Sequence, residues 1–173
     1  MIRTLLPVIA TVFLLAGPTG AADGLTDERK QALSSFAPLA GENLGGLEDR
    51  VIVVTFFASW CPPCRGEFAT LNALRAAHDK DQMAIVAINH FEDFGGLSSE
   101  ARLNRFLDET APNFSVVMGD PAAVERLWAV DRIPTVLVYD RRGALAFQFI
   151  HELGATKQQV TLEELSEAVK PLL

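Results

Sequence analysis

Two stretches of the chain, Val51–Phe57 (VIVVTFF) and Met83–Asn89 (MAIVAIN), are apolar at nearly every position and rich in β-branched residues. A strand with one wet face alternates apolar and polar side chains, whereas these runs have no polar parity, which marks strands buried on both faces. Between them Phe68, Leu71 and Leu74 recur at helical spacing, so a helix is predicted from about Pro62 to His78. Strand, helix and strand in that order require a parallel pair joined by a right-handed crossover. The fold class is therefore α/β, a mixed central sheet covered by helices on both faces.

The flanking sequence extends this pattern. Thr26-Asp27-Glu28 opens a short helical stretch with Leu33, Phe36 and Ala37 on one side, and Pro38 and the loop Gly41–Gly46 break it. After Asn89 comes a loop with a Gly-Gly pair. Ser98 or Ser99 then caps a helix whose apolar face is Leu103, Phe106 and Leu107. Phe114–Met118 reads as a short strand, and Asp120-Pro121 starts a helix carrying Val124, Leu127 and Trp128. Thr135–Asp140 and Leu145–Ile150 flank Arg141-Arg142-Gly143 as a hairpin, and Thr161 with Glu164 forms a capping box before a last helix.

At 173 residues, 49% of them hydrophobic, the chain is long enough for one domain with a full core. Its net charge of −7 disfavours nucleic acid or an anionic membrane surface as the main partner, since both are bound through basic patches. Residues 1–22 place Arg3 ahead of a thirteen-residue apolar run, Leu5–Gly17, that ends in small residues through Ala22. That layout predicts a cleaved signal peptide at 1–22, with a retained membrane anchor as the alternative. It divides the chain into signal peptide, an N-terminal extension at 23–46 and a domain at 47–173, working outside the cytosol where disulfides persist.

The chemistry is concentrated at Trp60-Cys61-Pro62-Pro63-Cys64, between a buried strand and a helix. A helix N-terminus carries partial positive charge and unpaired N–H groups, so it favours a thiolate. Cys61, at the exposed mouth of the turn, is the expected nucleophile, and Cys64, one turn inward, the buried resolving thiol. Pro62 and Pro63 fix φ in the first helical turn, where missing N–H groups cost least. A purely structural disulfide is the weaker reading, because a four-residue ring is credited with only about 2 kcal/mol. Half of a zinc site would need two further ligands at matching spacing, and there is no second C-x-x-C. Inert buried thiols do not suit the aqueous position of this turn.

WCPPC after VIVVTFFAS, with Ile133-Pro134-Thr135 entering a later strand, resembles the thioredoxin fold of the TlpA/ResA-like periplasmic thiol-disulfide oxidoreductases. The resemblance covers about residues 40–170. It implies a cis Pro134 facing the disulfide and a backbone at Ile133 that pairs with an extended client segment. Trp60, Pro62 and Pro63 would frame the same contact. It also implies an extra helix-strand insert at about 90–119 and no cofactor. Implied partners are protein disulfide or dithiol clients and a membrane electron donor; the protein itself is expected to be a monomer.

One departure bears on mechanism. Cytosolic thioredoxins carry a buried acid six residues before the first cysteine, where this chain has Thr55. ResA-like members place a glutamate three residues after the second cysteine, and Glu67 matches it. Cys64 and Glu67 are i, i+3 neighbours, so the carboxylate is placed to take the proton of Cys64. The resemblance favours a reductant, for apocytochrome c or another specific client. An oxidase that donates its disulfide, and a copper-binding chaperone using Cys61, Cys64 and one of His78, His90 and His151, stand as alternatives.

Overall fold

The computed structural model describes residues 24–173, so the stretch expected to be a signal peptide, 1–22, lies outside the described residues. The two apolar runs form strands with the predicted bounds. They are the second and third strands of the chain, β2 (Val51–Phe57) and β3 (Met83–Asn89), every residue of both is buried, and they pair in parallel. Helix α2 (Pro62–Ala77) makes the crossover.

Before them come α1 (Asp27–Ser35) and β1 (Ala37–Ala40); after them α3 (Glu100–Thr110), β4 (Ser115–Met118), α4 (Pro121–Trp128), β5 (Thr135–Tyr139), β6 (Leu145–Ile150) and α5 (Leu162–Val169). The six-stranded sheet runs β1-β4-β3-β2-β5-β6. β4 is parallel to β3, whereas β1–β4, β2–β5 and β5–β6 are antiparallel, so the sheet is mixed as expected. The caps follow the sequence: Ser99 accepts from the Arg102 N–H, Asp120 from Ala123, and Thr161 with Glu164 completes its capping box.

Strand β1 departs from the expectation. Phe36 and Ala37 continue the spacing of Leu33, yet α1 ends at Ser35 and Phe36 serves as its C-cap in extended conformation. Ala37–Ala40 then pairs with β4 at the sheet edge, where Pro38 is tolerated because edge strands have N–H positions that need no ladder partner. The 23–46 segment thus adds an edge strand to the sheet. Four residues with a proline carry no readable alternation.

Phe68 on α2 anchors the site end of the molecule. Its ring packs against Phe57 of β2 at 4.7 Å, Phe106 of α3 at 4.9 Å and Phe114, just before β4, at 5.2 Å between centroids. All four rings are fully buried. Truncating such a residue to alanine costs about 3–5 kcal/mol, so this cluster fixes the seat of α2 on the sheet.

Candidate active site

β2 ends at Phe57 and the chain turns over Ala58-Ser59-Trp60 into α2, whose N-cap is Cys61. The Cys61 N–H bonds to the Ala58 carbonyl at 3.1 Å and the Cys64 N–H to the Cys61 carbonyl at 3.2 Å. Pro62 and Pro63 occupy the first two helical positions, where no intrahelical donor is lost. Cys61 and Cys64 form a disulfide with Cα atoms 5.4 Å apart. The expectation of an exposed Cys61 needs correction: it is 3% exposed, against 0% for Cys64. The two still differ in kind, because Cys61 lines a surface groove and Cys64 does not.

Glu67 lies one turn below Cys64 on α2 and is completely buried. The Thr55 hydroxyl donates a hydrogen bond to its Oε1, while Oε2 has no partner among the described residues. Thr55 is itself fully buried on β2. Desolvation raises the Glu67 pKa to about 8, and the Thr55 hydrogen bond opposes that rise. At neutral pH the carboxyl beside the disulfide therefore holds a proton.

Over the disulfide lies a groove of about 550 Å³ whose walls include Trp60, Cys61, Phe94, Ile133, His151 and Leu153. The Ile133–Pro134 peptide bond is cis. The Pro134 carbonyl accepts from the His151 N–H at 3.0 Å, which fastens the end of β6 to the start of β5. No hydrogen bond reaches the Ile133 backbone among the described residues. Phe94 and Leu153 are 63% and 93% exposed, so the groove presents apolar side chains to water. The structure brings the expected residues Trp60, Cys61, Pro62, Pro63 and Ile133 to one wall set, whereas Cys64, Glu67 and Pro134 are not among its walls.

Sequence reasoning missed a clamp on the turn before Cys61. The Glu92 carboxylate accepts from the Ser59 N–H at 2.9 Å and from Asn89 Nδ2 at 2.8 Å, and the Ser59 hydroxyl donates to its other oxygen. Trp60 Nε1 donates to the Phe91 carbonyl at 2.8 Å, and the indole stacks on Phe94 with centroids 5.7 Å apart. Ser59 and Glu92 lie 33 residues apart and Trp60 and Phe91 lie 31 apart, so no local pattern announces those contacts. His90 stays outside the groove, packed on Phe91, and burial lowers its pKa.

The Redoxin family model matches residues 39–167. Thiol-disulfide oxidoreductase ResA of Halalkalibacterium halodurans is 27% identical over 135 residues, covering 77% of this chain and 71% of that protein. Its namesake in Geobacillus thermodenitrificans is 24% identical over 181 residues, covering 98% and 97%. The crystal structure of StoA from Bacillus subtilis superposes with a TM-score of 0.60 at 20% identity, covering 78% of this chain and 93% of that one, a likeness of fold. With a helix-capping Cys61–Cys64 pair at the matching place in that fold, the chain belongs to the Redoxin family as a TlpA/ResA-like thioredoxin-fold thiol-disulfide oxidoreductase.

Proposed function

We propose that this oxidoreductase works outside the cytosol, in the periplasm, as a reductant of disulfides in specific protein clients, of which apocytochrome c is the type. The observation that carries this reading is the pairing of an apolar groove at Cys61 with a buried, protonated carboxyl next to Cys64.

In the reduced protein Cys61, at the positive end of α2, is held as thiolate and attacks one sulfur of the client disulfide. The Cys61–client bond forms, the client S–S bond breaks, and the electron pair leaves on the other client sulfur. Glu67 then takes the proton of Cys64, directly or through one water. The resulting thiolate attacks the Cys61 sulfur, closing the intramolecular disulfide and releasing the second client thiolate. The cycle ends with Glu67 protonated, the state that its burial favours in the oxidised protein, and on re-reduction that proton passes back to the Cys64 thiolate as the disulfide opens, which leaves the carboxylate as the base for the next client. Two electrons have passed to the client, and a membrane donor of the thiol-disulfide relay type restores them. The client segment lies along the groove in extended form, its main chain bonded to the free Ile133 backbone, and the protein acts as a monomer.

A redox titration of the purified domain tests the direction of flow. A potential well below about −200 mV supports the reductant, and one near about −120 mV would replace it with a disulfide donor. Cys64→Ala should trap a mixed disulfide with the client and Cys61→Ala should not; a reversed pattern overturns the assignment of the two sulfurs.

A further inference from the structure

His151 is the titratable side chain that the cycle above leaves idle. It follows β6 directly, and its backbone N–H is bound to Pro134 at the start of β5. Its ring is therefore carried to the groove wall that also holds Cys61 and Ile133. The side chain is only 8% exposed, and its Nδ1 is buried with no partner among the described residues. A buried polar nitrogen without a hydrogen bond destabilises the fold, so architecture gives no reason for an imidazole here. Glu67, by contrast, is absent from the groove and reaches Thr55 on the sheet. It can serve Cys64 but not a sulfur arriving from outside.

We propose that His151 is the acid–base group for the client's sulfur, donating a proton to the thiolate that Cys61 expels from the client disulfide. The proposal rests on the reductase reading. In the step, the Cys61 thiolate forms a bond to the near client sulfur and the client S–S bond breaks. Its electron pair goes to the far sulfur, and the imidazolium proton passes to that sulfur. The neutral ring is reprotonated from water through the open groove. The other ionisable groups lining the groove are Asp131 and Arg132, which pair with each other at 2.7 Å; Glu152, next to His151 in the chain, is not a wall residue and acts on Arg132. Lys157 is turned to Glu164. His151 is thus the group left to meet a thiolate in the groove.

The test uses leaving groups that differ in their need for a proton. Reduced wild type and His151→Gln are mixed with glutathione disulfide, whose alkyl thiolate is basic, and with 5,5′-dithiobis(2-nitrobenzoate), whose aromatic thiolate departs without a proton. Loss of a general acid should lower the alkyl-to-aromatic rate ratio by at least about tenfold, the low end of such effects. Equal slowing with both disulfides, or an unchanged ratio, overturns the proposal, since a structural role of His151 predicts no dependence on leaving group. The wild type gives a second test that needs no variant. Its alkyl-to-aromatic ratio should fall as pH rises and a proton donor is lost from the groove, and a flat ratio overturns the proposal. The thiolate fraction of Cys61 cancels in that ratio. A wild type that reduces neither disulfide removes the reductase reading itself, which a change confined to the ratio does not.

Discussion

Replacing Glu67 with glutamine should abolish a pH dependence of stability that the wild type carries. In the folded protein the Glu67 pKa is raised to about 8 by burial, against an ordinary value of 4.5. Below pH 4.5 folded and unfolded chains both hold the proton. Between there and pH 8 the folded chain keeps a proton that the unfolded chain has lost, so stability falls as pH rises. At roughly 1.4 kcal/mol per pH unit the full loss is about 5 kcal/mol, of which about 3 kcal/mol is already incurred at pH 7. Above pH 8 the contribution is flat. Glu67→Gln keeps the shape and the acceptor for the Thr55 hydroxyl but cannot titrate. The stability of the variant minus that of the wild type should therefore grow by about 5 kcal/mol from pH 4 to pH 9. Urea unfolding of both oxidised proteins at pH 4, 7 and 9 measures it, and other carboxylates cancel in the difference. Parallel curves across that range would show that Glu67 titrates as an ordinary surface acid and stores no proton beside Cys64.

Thr55→Val removes the hydroxyl that holds the Glu67 pKa down, so the pH at which stability stops falling should move upward, at a cost of about 1–3 kcal/mol for the lost buried bond. Glu92→Ala leaves the Ser59 N–H and the Asn89 amide without their acceptor; unfolding should come about 1–3 kcal/mol sooner, and alkylation of reduced Cys61 should change its pH profile. An unmoved pH dependence refutes the Thr55 effect on Glu67, and unchanged unfolding and alkylation in Glu92→Ala refute the clamp. N-terminal sequencing of protein from the producing cell should begin near Ala22 or Asp23, and intact Met1 in the membrane fraction would refute cleavage.

The parts of this fold that could be read from sequence are those in which one segment declares its own environment. Val51–Phe57 is buried on both sides and says so in every residue, and Asp120-Pro121 and Thr161–Glu164 announce helix starts through local capping chemistry. Phe36 shows the opposite case, because helical spacing persists one step past the last helical residue. The groove at Cys61 was illegible for a different reason: its walls include the Ile133 and His151 segments, far along the chain. His151 itself looked like one of three scattered histidines. Only the antiparallel register of β5 and β6, which sets Thr135 opposite Ile150, carries it to the disulfide.

The exchange of a strand acid for a helix acid has a consequence for how the thiols are controlled. An acid at position 55 would sit on β2, a strand hydrogen-bonded on both sides, and its distance to Cys64 would depend on how α2 lies across the sheet. Glu67 rides on the same helix as Cys64, three residues on, so the separation of acid and thiol is set by helical geometry alone. Thr55 then becomes the sheet's contribution, one hydroxyl that moderates the acid without adding a second charge to the core. Two carboxyl groups there would repel when ionised and push each other's pKa further apart. A single acid with a neutral partner keeps one proton available near pH 8, within reach of the thiol it is proposed to serve.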